Sequence, residues 1–228
     1  MAQAPVHEAS EHPHDAAHRA LEAFGILAAS GLVLTIGARV ATSVTRSDAV
    51  FVLGALVVGA VLADLFSGFV HWAFDRFGDE KTPFVGPAFV KPFRLHHTDP
   101  KDILRHGFLE TNGNTSLATV IPLALLLLLP LQGVGLFVVV TMTTASVLAI
   151  LTNQLHKWAH DASPPKMVAW LQSMHLVLPR NHHALHHAWP HESHYCITTG
   201  WMNAVLPKRF WDSCERSLAR LGLGVHRG

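Results

Sequence analysis

Long apolar segments occupy most of the first two thirds of the chain. Residues Thr111 to Leu155 form a 45-residue segment without Asp, Glu, Lys or Arg. A helix needs about 20 residues to cross the apolar core of a bilayer, so this segment predicts two crossings with a break near Pro130–Gly133. Two upstream segments, Phe24 to about Val44 and Ala49 to about Phe74, predict two further spans.

The pattern therefore predicts an all-α integral membrane bundle of about four transmembrane helices. The alternative for the long apolar segment, a buried hairpin in a soluble protein, is disfavoured by its length. We expect three regions, a disordered histidine-containing tail over residues 1–22, a membrane domain over 23–212 and a C-terminal tail over 213–228. The polar composition of the first region predicts its disorder. No basic segment with a cleavage site precedes Phe24, so we expect no removable signal peptide.

Basic residues are distributed unevenly between the two predicted faces of the membrane. One lies in the N-terminal tail, six lie between Asp75 and Glu110, and eight follow Leu155, whereas the opposite loops hold only Arg39 and Arg46. Because basic loops stay in the cytoplasm, we predict a multi-pass protein with both termini cytoplasmic. The membrane would be a bacterial inner membrane or one like the endoplasmic reticulum.

The remaining composition excludes two classes of protein. A net charge of +1 gives no sign of nucleic-acid binding. Two cysteines, Cys196 and Cys214, are too few for a disulfide framework and fit a reducing compartment.

Histidine is the residue that points to chemistry, with 18 copies in the chain. Thirteen of them fall on the predicted cytoplasmic side. They are His71, His96, His97, His106, His156, His160, His175, His182, His183, His186, His187, His191 and His194. Scattered structural histidines would have no reason to share one face, so we predict a histidine-rich site there.

Helical spacing places several of these residues on common stripes. Asp64, His71 and Asp75 lie within about 40° of one another on the second span. A carboxylate inside a span is costly and suggests function, although Asp64 could instead be a structural hydrogen-bond partner. On the last span His156 and His160 are four residues apart, at the spacing of a metal-binding pair.

Two further motifs add six imidazoles. In "FRLHHTDP", His96 and His97 would point about 100° apart on a helix, so they could serve two metals or bracket one. In "HHALHH", four histidines would share one helix face, and chelation explains them better than solvation does. With His156 and His160 the motifs offer eight imidazoles, whereas a tetrahedral zinc site takes three or four ligands.

That number suits two metal ions with open positions for dioxygen. A site beside apolar helices would meet a substrate dissolved in the membrane, which indicates a lipid chain.

The motifs resemble those of the plasmanylethanolamine desaturase family of membrane histidine-box lipid desaturases. The resemblance covers roughly Ala63 to Trp211 and depends on "ADLFSGFVHWAFD", "PFRLHHTDP", "RHGFLETNGN", "NQLHKWAH" and "PRNHHALHHAWPHESHYCITTGWMN". It implies formation of a vinyl-ether double bond in an alkyl-ether phospholipid, which yields a plasmalogen. It also implies two Fe ions, O2 as co-substrate and an external electron donor of the cytochrome b5 or ferredoxin type.

The resemblance also ranks the candidate site residues. It implies metal ligation by His71, His96, His97, His156, His160, His183, His186 and His187. Asp75, the one catalytic carboxylate that we predict, is expected to orient an imidazole. Candidates for supporting hydrogen bonds are Asp64, His106, Asn153, His175, His182, His191 and His194. Two positions depart from the family pattern, with Leu95 in place of Glu and Gly107 in place of Asp.

A plastid branch of the same group desaturates an acyl chain of phosphatidylglycerol. It resembles this chain less, because it lacks the "ETNGN" and "CITTGW" segments and a histidine matching His182. Hydroxylation remains an alternative to desaturation, since both reactions share ligands.

Two unrelated functions fit the sequence less well. A zinc intramembrane protease needs Glu in HExxH, and Lys157 occupies that position. A metal transporter would place its ligands near the middle of the membrane, whereas these histidines lie at the ends of the spans.

Overall fold

The structure is a computed structural model that describes residues 16–83 and 85–225. The described residues form eight α-helices and contain no strand. The helices are α1 (Ala16–Ser43), α2 (Ala49–Arg76), α3 (Lys91–Thr98), α4 (Phe108–Leu126), α5 (Gly133–His160), α6 (Lys166–Ser173), α7 (Arg180–His186) and α8 (Lys208–Arg220). The predicted all-α membrane architecture is confirmed.

Four long helices form the bundle, as the apolar pattern predicts. By length and composition, α1, the segment Arg46–Arg76 and α5 could each cross a membrane. The remaining long helix, α4, has only 19 residues and begins with the polar sequence "FLETNGNTS", and it is not among the candidate spans in the described chain. Length and composition of the described helices therefore support three of the four predicted spans.

Successive long helices run in opposite directions, so α1 lies parallel to α4 and α2 lies parallel to α5. α1 packs along α4, α2 along α5, and α4 along α5. Arg39, near the C-terminal end of α1, donates a hydrogen bond to the carbonyl of Leu127, which follows α4. The C-terminal ends of α2 and α5 therefore lie at the other end of the bundle, where α3 and α7 join them.

Both predicted domain boundaries fall inside helices. Residues 1–15 of the expected N-terminal tail lie outside the described residues, but residues 16–22 begin α1. Glu22 is buried and lies against Gly113 of α4, and this tertiary contact extends the helix. The boundary at residue 212 falls within α8, because Cys214 and Leu218 pack on the same apolar cluster as Trp211.

Glycine permits the close contact between α2 and α5. A Cβ atom at Gly59 would lie 2.6 Å from the carbonyl oxygen of Thr141, whereas a Cβ at Gly54 would meet no atom within 4 Å. Small residues at such contacts let membrane helices approach.

We expect Gly59→Ala to destabilise the bundle by about 1–3 kcal/mol, because the added methyl group must displace backbone. Thermal unfolding of the purified protein in detergent would measure this. Gly54→Ala on the same helix is the matched control and should leave the melting temperature unchanged or slightly higher, since alanine favours a helix. Equal melting temperatures for the two variants would contradict the predicted packing.

Candidate metal centre

Nine of the predicted site residues converge at one end of the bundle, in two groups. The first contains His96, His156, His160, His183 and His187, and the second contains His71, Asp75, His97 and His186. Within each group, one ligand atom from every residue lies within 4.8 Å of all the others. The neighbours His96 and His97 belong to different groups, as do His186 and His187.

The first group is an all-imidazole cluster whose Nε2 atoms face one another. The Nε2 atom of His183 lies 2.8 Å from those of His156 and His160 and 3.0 Å from that of His187. His96 Nε2 lies 2.9 Å from His160 Nε2 and 3.1 Å from His187 Nε2. Nitrogens at adjacent positions around an ion with bonds of about 2.1 Å lie about 3 Å apart, so the spacing fits one coordination shell.

The second group combines three imidazoles with a carboxylate. Asp75 Oδ2 lies 3.4 Å from the Nε2 atoms of His71 and His97 and 3.5 Å from that of His186. His97 Nε2 and His186 Nε2 are 3.0 Å apart. The carboxylate thus faces the same point as the three imidazoles and could act as a fourth ligand there, in addition to the orienting role expected from the sequence.

The donor chemistry of both groups fits metal ions better than hydrogen bonds alone. Five mutually facing imidazole nitrogens cannot all be satisfied by sharing protons among themselves. In the second group, His71 Nε2 and both carboxylate oxygens of Asp75 are buried without a hydrogen-bond partner. Buried polar atoms normally have partners, and a shared cation would supply one.

Backbone carbonyls fix the orientation of two imidazoles in the second group. His71 Nδ1 lies 3.2 Å from the carbonyl oxygen of Tyr195, and His186 Nδ1 lies 2.8 Å from that of Ser193. A carbonyl oxygen can only accept, so each Nδ1 carries the proton and donates it. The lone pair of each ring then lies on Nε2, which faces the group.

Burial keeps the imidazoles outside the spans neutral, which is the form that binds metal. Burial, with neighbouring imidazoles adding to it, lowers the pKa of His96 and of His187 to about 2. Burial also lowers the pKa of His97 and of His186 to about 4. The carboxylate of Asp75 opposes this effect at His97.

One predicted supporting histidine, His191, contacts the centre. His191 stacks on His97 with ring centroids 4.4 Å apart, and its Nδ1 atom donates to the carbonyl of His186 at 3.2 Å. The Nε2 atom of His182, another predicted supporting residue, instead accepts a hydrogen bond of 3.0 Å from Asn203.

The other predicted supporting residues contact different parts of the protein. Asn153 joins α5 to the carbonyl of Thr111 on α4. His106 pairs with Asp102 and Glu110, His194 contacts Ser193, and His175 is exposed. Asp64 binds backbone amides of residues 198–202.

The two departures from the family pattern lie away from the groups. The Leu95 side chain is 45% exposed, so this position faces away from the buried imidazoles. Gly107 precedes the first turn of α4, and a Cβ there would meet no atom within 4 Å.

Several contacts at the site are not apparent from sequence patterns. Arg76, next to Asp75, donates to Glu215 of α8 at 2.7 Å and to Glu192 at 3.3 Å. Lys157, between the two histidines of α5, donates to the carbonyl of His106. Charge alternation could have suggested the Arg76 pairs, whereas the carbonyl partners carry no residue-type signal.

The chain is similar to lipid desaturases over most of its length. The sequence model of the protein family described as "Lipid desaturase domain" matches residues 60–225. The chain is 45% identical over 167 residues to plasmanylethanolamine desaturase of Myxococcus xanthus, covering 72% of this chain and 59% of that protein. It is 42% identical over 172 residues to plasmanylethanolamine desaturase 1 of Mus musculus, covering 70% and 62%.

A third relative carries a different name. The chain is 40% identical over 161 residues to chloroplastic fatty acid desaturase 4 of Arabidopsis thaliana, covering 69% of this chain and 48% of that protein. The first two relatives are covered over about three fifths of their length. No solved structure matches.

Proposed function

Because this chain belongs to the lipid desaturase domain family, we propose that it is an oxygen-dependent di-iron desaturase that forms the vinyl-ether bond of plasmalogens from alkyl-ether phospholipids. The observation that carries the proposal is the presence of two potential metal-ligand groups at one end of a bundle of apolar helices. The two relatives named plasmanylethanolamine desaturase support the ether-lipid substrate.

The chain's own residues would hold two iron ions. His96, His156, His160, His183 and His187 would bind one, and His71, Asp75, His97 and His186 would bind the other. When bound, a pair of iron ions supplies the reduction of dioxygen that oxidises an unreactive carbon chain. The protein supplies neutral imidazoles, a fixed orientation of His71 and His186, and burial that excludes water.

The substrate is a lipid because the centre lies at the end of helices with apolar surfaces. The exposed faces of α1, α2 and α5 include Leu27, Leu34, Val50 and Val134, which would contact acyl chains. A lone pair on the ether oxygen eases hydrogen removal at the adjoining carbon. This favours an alkyl ether over an ordinary acyl chain as the reacting group.

Desaturation consumes one dioxygen, two hydrogen atoms from the lipid and two further electrons with two protons, and it releases two water molecules. We propose that an external donor supplies the two electrons. A carrier of the cytochrome b5 or ferredoxin type has the chemistry required.

We propose that the centre lies on the cytoplasmic side, because basic residues concentrate at that end of the bundle. Reporter tags fused at Met1 and at Gly228 should therefore both give a cytoplasmic signal. A tag in the Ser43–Asp48 connection should give the opposite signal. A lumenal or periplasmic signal from either terminus would refute this orientation.

Lipid analysis of a host without plasmalogens tests the proposed substrate. Expression of this chain in cells supplied with alkyl-ether phospholipid should produce acid-labile vinyl-ether lipid, whereas an empty vector should not. New unsaturation confined to acyl chains of phosphatidylglycerol would instead assign the activity suggested by the name of the Arabidopsis thaliana relative.

A further inference from the structure

We propose that Asp64 is a positioning residue for the second ligand group. Its carboxylate anchors residues 193–203, which we call the strap, and the strap carries the two carbonyls that orient His71 and His186. Asp64 thereby acts on these ligands through the backbone, without touching them. The inference rests on the proposed two-metal centre.

Asp64 is completely buried in α2 and binds four backbone amides of the strap. Its Oδ1 atom accepts hydrogen bonds from the N–H groups of Thr198 (3.1 Å), Thr199 (2.8 Å) and Gly200 (2.9 Å). Its Oδ2 atom accepts one from Met202 (2.8 Å). Burying a charge is costly unless it is well paired, and charge-assisted bonds of this kind are strong. Four of them hold the strap firmly.

The strap can wrap the carboxylate because of its backbone at Gly200. This residue has φ +79°, which is in the left-handed region that glycine adopts without steric cost. A Cβ atom there would also lie 3.2 Å from the ring of His182. The turn that gathers the amide groups around Asp64 therefore depends on glycine at this position.

Further hydrogen bonds fix the central part of the strap, one to α2 and two within the strap itself. Ser67, one turn after Asp64, accepts a hydrogen bond of 3.1 Å from Ile197 N–H. The Asn203 side chain accepts from Cys196 N–H at 2.9 Å and donates to the Cys196 carbonyl at 2.8 Å. At Gly68 a Cβ atom would collide with the Sγ atom of Cys196, so the strap lies directly on this face of the helix.

The anchored strap serves the second group selectively. The carbonyls of Tyr195 and Ser193 accept the Nδ1 protons of His71 and His186, as described above. In the first group, the Nδ1 atoms of His183 and His187 are buried without a hydrogen-bond partner among the described residues. A displaced strap would therefore release two ligands of the second group, and the five-histidine group would keep its geometry.

Iron content of the full-length protein, purified in detergent from iron-supplied cells, tests this role. In Asp64→Asn the charge is lost, and the amide nitrogen is a donor that cannot accept from an N–H group. Loss of a group that orients metal ligands typically lowers metal affinity about 10- to 100-fold. We expect wild type to hold about two irons per chain, one for each group, and Asp64→Asn about one after brief exposure to a chelator.

Three companion variants identify which iron is lost. Adding His156→Ala, in the first group, to Asp64→Asn should remove the remaining iron. Ser67→Ala, which removes one anchoring hydrogen bond, should cause a smaller loss of the same iron. Thr141→Val is the matched control, because it removes a buried hydrogen bond between α5 and the carbonyl of Ala55 without touching the strap. It should keep both irons.

The Mössbauer spectrum gives a readout independent of activity. Asp64→Asn should lose the doublet that also disappears in His71→Ala and keep the doublet that disappears in His156→Ala. Retention of both irons with unchanged chelator resistance would refute the positioning role, as would equal loss of both. Absence of iron from wild type would refute the two-metal centre itself, and this inference with it, whereas failure in Asp64→Asn alone leaves the centre standing.

Discussion

His183→Ala should lower vinyl-ether formation by at least about 100-fold, because a lost ligand costs more than a lost orienting group. His183 Nε2 lies within 3.0 Å of three other Nε2 atoms in the first group, so its removal opens the centre of that group. Anaerobically washed membranes given alkyl-ether phospholipid, a reductant and oxygen would measure product, and iron analysis of the purified protein would measure binding.

The control for this variant is His12→Ala, which lies outside the residues matched by the family model. It should keep wild-type iron content and product formation. The His183→Ala protein should still be found in the membrane fraction, since the apolar spans are unchanged. Wild-type activity in His183→Ala would show that the five-histidine group is not the metal site.

Asp75→Asn is expected to remove about one of two irons and to abolish product formation, because the carboxylate occupies a ligand position in the second group. Its Oδ2 atom lies 3.4–3.5 Å from three Nε2 atoms, and a neutral amide is a much weaker ligand for iron. Iron analysis and the lipid assay would measure both effects. Asp79→Asn, at an exposed position nearby, is the matched control.

Asp75→Asn also separates two roles for the carboxylate. A group that only orients an imidazole could be replaced by an amide with partial loss of iron affinity, since an amide still accepts hydrogen bonds. Two firmly bound irons in Asp75→Asn would therefore contradict ligation by Asp75 and restore the orienting role expected from the sequence.

The helical spans could be predicted from sequence because their length and apolar composition leave few alternatives. Their ends could not, since tertiary contacts decide them. Glu22 extends α1 by packing against Gly113, and the cluster around Trp211 extends the last helix past residue 212. Local composition contains neither contact.

The candidate ligands could be found by spacing, but their division into two groups could not. Residues on neighbouring positions of a helix point about 100° apart, and this separates His96 from His97. Which group each joins depends on how α3 and α7 meet α2 and α5. No sequence pattern predicts that the carbonyls of Ser193 and Tyr195 orient ligands, because every residue has a carbonyl.

Asp64 is another residue whose partners could not be predicted from helical spacing. Its depth in a span marks it as significant, and the stripe with His71 and Asp75 suggests a place near the metal. The structure instead turns its carboxylate towards the amides of residues 198–202. Helical spacing gives the face of a residue, whereas its partner depends on the chain that packs there.

The most direct test of the proposed reaction uses an alkyl-ether phospholipid with deuterium on the two chain carbons nearest the ether oxygen. The purified full-length protein would be supplied with this lipid, oxygen, a reductant and an electron carrier, and the product would be analysed by mass spectrometry. Desaturation predicts a vinyl ether that has lost one deuterium from each carbon and gained no oxygen. A product that has lost a single deuterium and gained one oxygen atom would identify a hydroxylase and contradict the proposed function.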